Sequence, residues 1–155
     1  MLGCGIDLGT SGCRLALVDA TGPIQQLSCP YPGAFRQAES WRLGVQQLFA
    51  QLQEEQRQQI GAIAIDGTSG TLLACRPTGE PLAPALAYND ACPEQDQRTR
   101  ELVPKGGSAG SSSGSVARSL RLLEQLNEQP GSELLLRHQA DWLMGWPLGK
   151  WSGGE

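Results

Sequence analysis

Gly5-Ile6-Asp7-Leu8-Gly9-Thr10-Ser11-Gly12-Cys13-Arg14 lies between two apolar runs near the start of the chain, and its reading decides the fold. Leu2 to Leu8 reads as a buried strand and Cys13 to Val18 as a second, so Gly9-Thr10-Ser11-Gly12 must be a tight turn. Glycine permits backbone angles closed to other residues and lets a ligand come near the main chain. Successive N–H groups in such a turn form a concave, anion-attracting nest. Asp7 stands at its mouth, where a carboxylate beside bound phosphate needs a hard cation between the two anions. Mg²⁺ takes oxygen ligands and keeps several waters, so one carboxylate can hold it. The stretch therefore predicts a phosphate turn made by Gly9, Thr10, Ser11 and Gly12, with Asp7 as the metal-side carboxylate. An ordinary hairpin turn is the alternative.

Beyond it, Asp19-Ala20-Thr21-Gly22-Pro23 is a turn and Ile24 to Ser28 a third, antiparallel strand. Glu39 to Gln59 reads as one amphipathic helix with Trp41, Val45, Leu48, Phe49 and Leu52 on its apolar stripe. Ile60 to Ile65 has almost no polar residue, as expected of a strand covered on both faces in a parallel or mixed sheet. It runs into Asp66-Gly67-Thr68-Ser69-Gly70-Thr71, a recurrence of the opening stretch. Two such turns at strand ends are expected to line one cleft. Ala85 to Tyr88 reads as a short strand before Asn89-Asp90, Glu94 to Val103 as a helix, and Lys105 to Ser115 as a flexible Gly/Ser segment. A helix follows over Val116 to Asn127. Ser132 is placed to cap another through Leu134, Leu135, His138 and Trp142. The pattern predicts an α/β domain with a mixed sheet flanked by helices.

With 155 residues the chain can bury a real core, and its net charge of −4 leaves no basic patch for nucleic acid. No charged and apolar leader opens the sequence, and no apolar run reaches the ~20 residues that span a membrane. A soluble, cytoplasmic protein is expected. Five widely spaced cysteines (Cys4, Cys13, Cys29, Cys75, Cys92) without a C-x-x-C argue against a disulfide framework or a zinc site. Cys4 and Cys13 read as buried strand residues, and His138, the one histidine, as structural.

The opening stretch resembles the N-terminal phosphate motif of the FGGY carbohydrate kinases. Ala64-Ile65-Asp66-Gly67-Thr68-Ser69-Gly70-Thr71-Leu72-Leu73, then Tyr88-Asn89-Asp90-Ala91-Cys92-Pro93 and Gln139-Ala140-Asp141-Trp142-Leu143, resemble its cyanobacterial and plant branch of xylulokinase-like D-ribulose kinases. The resemblance implies a ribonuclease-H-like domain of the actin/hexokinase/Hsp70 type and transfer of the ATP γ-phosphoryl group to a ketopentose. It also implies that Asp7 lies near Mg²⁺ and the transferred phosphate, with Thr10 helping to place it. Ser69, Gly70, Thr71, Leu72, Asn89 and Asp90 would face the sugar. Two departures bear on the substrate: Leu72-Leu73 stands where xylulokinases have Met-His, and Cys92 where many members have arginine, which favours D-ribulose over D-xylulose.

By the same resemblance, residues 1–155 are an N-terminal sugar-kinase domain incomplete at its C-terminal end. The catalytic aspartate segment and the ATP-binding domain would follow Glu155. Asp66 and Asp90 read as turn-forming carboxylates. The short chain is expected to be inactive alone and to self-associate, with Trp142, Trp146 and Trp151 as candidate exposed surface, or to pair with a separately encoded C-terminal half. A non-catalytic sugar- or phosphate-binding module and another actin/Hsp70-like ATPase are the rival readings.

Overall fold

The computed structural model describes residues 1–104, 108–127 and 133–151. They fall into two compact units, Met1–Thr68 and Ser69–Glu155.

The first unit is a four-stranded mixed sheet in the order β3-β2-β1-β4. β1 (Leu2–Leu8), β2 (Gly12–Asp19) and β3 (Gly22–Pro30) form an antiparallel meander. After α1 (Ala38–Ala50) and α2 (Glu54–Gln59), β4 (Ile60–Gly67) returns parallel to β1. Period-two alternation sends Leu2, Cys4, Ile6 and Leu8 to one face together with Cys13, Leu15 and Leu17, and all are buried. α1 packs on β2 and β3 and buries its stripe of Trp41, Val45 and Leu48.

Two expectations change in this unit. The single helix over 39–59 is broken at Gln51-Leu52-Gln53. Leu52 turns into the core, and Gln53 and Gln56 exchange side-chain-to-backbone hydrogen bonds that cap a new helix. β4 is not covered on both faces: Gly61, Ala62, Ile63 and Ala64 are exposed. As the outer strand it has a neighbour on one side only, so its apolar composition does not report burial.

In the second unit β5 (Leu72–Cys75) pairs antiparallel with β6 (Leu135–His138). Residues 135–138 were expected within a helix and instead form this strand. Leu134-Leu135-Leu136 satisfies either periodicity, and β5 offers backbone partners that a helix would refuse. Leu134 and Leu136 then pack on the buried cluster of Leu72, Ala74, Leu86 and Leu122. Ser132, the expected cap, lies outside the described residues. The helix starts later, as the last of three: α3 (Asp96–Leu102), α4 (Ser115–Gln125) and α5 (Gln139–Leu148).

The strand expected at Ala85–Tyr88 reduces to one bridge, Leu86 with Leu72. Within the expected flexible segment, Ser108–Gly110 forms a 3₁₀ turn, and the Ser112 carbonyl accepts the Cys92 N–H at 2.8 Å. The C-terminal tryptophans are not the exposed surface they were expected to be. Trp142 is buried with Nε1 donating to the Gly79 carbonyl at 2.8 Å, while Trp146 and Trp151 are half-buried. The Trp151 ring lies over Gly79 and Gly145, where an added Cβ would come within 2.3 Å of it.

All five cysteines are free thiols, with Cys4 and Cys13 buried in the sheet as expected. Burial and the neighbouring Cys29 sulfur, 3.6 Å away, push the Cys13 thiol up to about 12. His138 closes β6, its Nδ1 3.3 Å from the Thr71 carbonyl. No described helix is long and apolar enough to cross a membrane.

Candidate functional site

The first turn is a hairpin closed by the Gly9 N–H donating to the Gly12 carbonyl at 3.0 Å. Its glycines are not required by backbone angle, since no residue in it has positive φ. They are required by closeness. A Cβ on Gly12 would stand 2.3 Å from the Cys29 carbonyl oxygen and 2.9 Å from the Pro30 Cα. Tyr31 locks the turn from β3's end: its hydroxyl donates to the Gly9 carbonyl at 2.9 Å and its N–H to the Ser11 carbonyl at 3.3 Å. Thr10 and Ser11 project into solvent, and no hydrogen bond from their hydroxyls is recorded among the described residues.

Asp7 precedes this turn on the sheet face opposite α1. Gly5, Asp7, Arg14, Ala16, Gln26, Ser28, Ala64 and Asp66 share that face by strand register. They contribute to the lining of an open concavity of about 710 Å³. Arg14 Nη1 donates to Asp7 Oδ2 at 2.6 Å, and both side chains are more than half exposed. Asp66 sits directly beside Asp7 across the β1–β4 ladder. Asp66 Oδ1 accepts the Gly67 N–H at 2.8 Å, so it does brace its own turn. One oxygen of each aspartate carries no hydrogen bond to a described residue. Two adjacent carboxylates repel, and their free oxygens are the hard donors Mg²⁺ takes, so Asp7 and Asp66 would suit that ion. Arg14 adds a guanidinium suited to a phosphate oxygen.

Sequence reasoning passed over Arg14 and gave Asp66 only a turn-forming part. The signal was present. Asp7 and Asp66 hold the same place in the repeat, and both are out of phase with the Ile6 and Ile65 side of their strands.

Ser69, Gly70 and Thr71 belong to the second unit. Ser69 is exposed, and Gly70 has φ +83°, a left-handed conformation that favours glycine. Thr71 is buried just before β5, and Leu72, buried at its start, belongs to the core cluster with Ala74, Leu86 and Leu122. Asn89 is exposed. Asp90 is half-buried and shapes its own turn, with Oδ2 accepting the Ala87 N–H at 2.7 Å. The residue that sequence reasoning missed here is Arg118 of α4. It is buried, Nη1 donates to the carbonyls of Tyr88 and Asp90 at 2.9 and 3.1 Å, and Nη2 lies against Gly70. On the helical wheel Arg118 falls opposite the Val116, Leu120 and Leu123 stripe, beside Arg121 and Gln125, so the sequence pattern carried no signal for it.

No family model matches the sequence. Solved structures do match the fold. Glycerol kinase from Plasmodium falciparum, determined with ADP, superposes with a TM-score of 0.72 at 13% identity over 93% of this chain. Xylulose kinase from Bifidobacterium adolescentis gives 0.71 at 17% over 100%, and gluconate kinase from Lactobacillus acidophilus 0.63 at 15% over 94%. The chain has the α/β fold with a mixed sheet flanked by helices seen in these sugar kinases. It spans about a third of their length, 33%, 36% and 33% respectively.

Proposed function

We propose that this chain is the sugar-side part of an ATP-dependent carbohydrate kinase that phosphorylates a ketopentose. The observation that carries the reading is the pairing of Asp7 with Asp66, beside the solvent-facing Thr10-Ser11 turn, on a sheet whose fold is that of sugar kinases. Phosphoryl transfer to a primary hydroxyl asks for positioning and charge neutralisation rather than covalent help. Asp7 and Asp66 would hold Mg²⁺, which supplies the neutralising charge. The Gly9–Gly12 turn and Arg14 would bind phosphate oxygens, and Ser69, Asn89 and Asp90 would orient the sugar. Neither Asp66 nor Asp90 is assigned as the base, since each is engaged by a backbone N–H of its own turn. D-ribulose in preference to D-xylulose is proposed on the resemblance alone, since Leu72 and Leu73 are buried in β5. A cytoplasmic location accords with this reading.

Asp7→Ala tests the assignment in a longer protein that joins this chain to a nucleotide-binding domain. ATP-dependent phosphorylation of D-ribulose should fall by at least about a hundredfold. Folding stability should move by less than about 1 kcal/mol, because the Asp7–Arg14 pair is exposed. Turnover near wild type would refute the role. The rival reading is a non-catalytic sugar-binding module or half of a split kinase. It is favoured if no added nucleotide domain confers activity.

Self-association of the 155-residue chain is expected through β4 rather than the tryptophans. β3 ends in Pro30, has Pro23 near its start and carries Gln25 and Gln26, whereas β4 presents Ile60 to Ile65 without charge or proline. An unguarded outer strand invites pairing. Ile63→Lys should lower the molar mass measured by light scattering, and an unchanged mass would exclude this edge.

A further inference from the structure

Arg118 is 3% exposed. A guanidinium has five N–H donors. Nη1 uses its two on the carbonyls of Tyr88 and Asp90. Nε is buried with no partner among the described residues. Nη2 stands 2.8 Å from the place a Cβ on Gly70 would occupy, and the described residues give it no acceptor. No carboxylate among them forms an ion pair with the side chain. Burying a cation with unused donors is costly, and such groups are ordinarily satisfied. Of the unused donors, Nη2 stands beside the side-chain-free Gly70, which follows the exposed Ser69.

We propose that Arg118 is a ligand-binding residue whose Nη2 donates to an oxygen acceptor of a small polyhydroxylated ligand at the Ser69-Gly70-Thr71 turn. Tyr88 and Asp90 hold the guanidinium in place through their carbonyls, and glycine at position 70 leaves room for it. The inference rests on the sugar-kinase reading and adds the group that recognises the sugar. The acceptor can belong to a neutral polyol or to the carboxylate of a sugar acid.

The test is side-chain NMR of the 155-residue protein labelled with ¹⁵N-arginine and ¹⁵N-backbone, titrated separately with D-ribulose, glycerol and gluconate. The Arg118 Nε–H resonance is assigned by its loss in Arg118→Lys. It should shift together with the amides of Ser69, Gly70 and Thr71. Arg118→Met should weaken binding roughly 10- to 100-fold, the range for hydrogen bonds from a charged donor. Arg118→Lys should recover part of this, and Ser119→Ala on the same helix should bind as wild type. A larger loss for gluconate than for D-ribulose identifies a sugar acid as the ligand; the reverse identifies a neutral polyol. If the turn amides shift while the Arg118 resonance stays, or Arg118→Met binds as wild type, the inference is overturned and the sugar site stands. If none of the three compounds shifts either set, the sugar-kinase reading falls and the inference with it. Should Arg118→Met not fold, the wild-type titration and Arg118→Lys decide alone.

Discussion

Gly9-Thr10-Ser11-Gly12 and Gly67-Thr68-Ser69-Gly70 are the same four letters, and they fold for different reasons. The first joins two antiparallel strands, has no positive φ, and needs glycine because β3 passes within touching distance of Gly12. The second leads from β4 toward β5 and needs glycine twice over: φ is +83° at Gly70, and the Arg118 guanidinium fills the space a side chain would take. The repeat is real in composition and in the placing of Asp7 and Asp66. It does not extend to conformation. A short glycine motif reports that something comes close or that the chain turns sharply, and only the surroundings say which.

Gly12→Val should break the first turn most severely. Its Cβ meets backbone atoms of Cys29 and Pro30, which cannot rotate away, so β3 must separate from β2. A loss of about 2–3 kcal/mol is expected from urea unfolding. A loss under about 1 kcal/mol would show that closeness is not the constraint.

Gly70→Ala should cost less, about 1–2 kcal/mol, from left-handed strain and the Arg118 contact. The two causes separate in a double-mutant cycle with Arg118→Ala. Relief of at least about 0.5 kcal/mol in the double variant assigns that share to the guanidinium. Simple additivity would leave backbone angle as the whole constraint.

The smallest difference between the units concerns their exposed ion pairs. Hydrogen bonding to Arg42 holds the Glu39 carboxyl below its usual value in the first unit, and Arg121 does the same to Glu94 in the second. Both folded-state values are depressed. Each contribution is therefore present above the unfolded carboxylate value, about 4.3, and is lost as pH falls through the folded one. Glu39→Gln should flatten the acid limb of the stability curve slightly, and Glu94→Gln to a similar small extent. A clear inequality would show that one pair is screened from solvent more than its exposure suggests.

The sheet of the first unit was legible because its constraints are local and repeated. Alternation in β1 and β2, the apolar stripe of α1 and the apolar run Ile60–Ile65 of β4 each state their own structure, and the Gly9–Gly12 turn follows from where the strands stop. Leu134 to His138 was not legible, since its short apolar run suits a helix or a strand equally and β5 decided between them by supplying hydrogen-bond partners. Nor could composition tell that β4 stands at the outside of its sheet, because an apolar strand reads the same whether or not anything covers it. The candidate site divides in the same way. Asp7 announced itself beside its turn in the sequence. Its neighbour Asp66 is 59 positions away and Arg118 is 48 positions from Gly70. Only strand register and helix packing bring such residues together, since a carboxylate pair or a buried guanidinium is defined by distance in space and leaves no period along the chain.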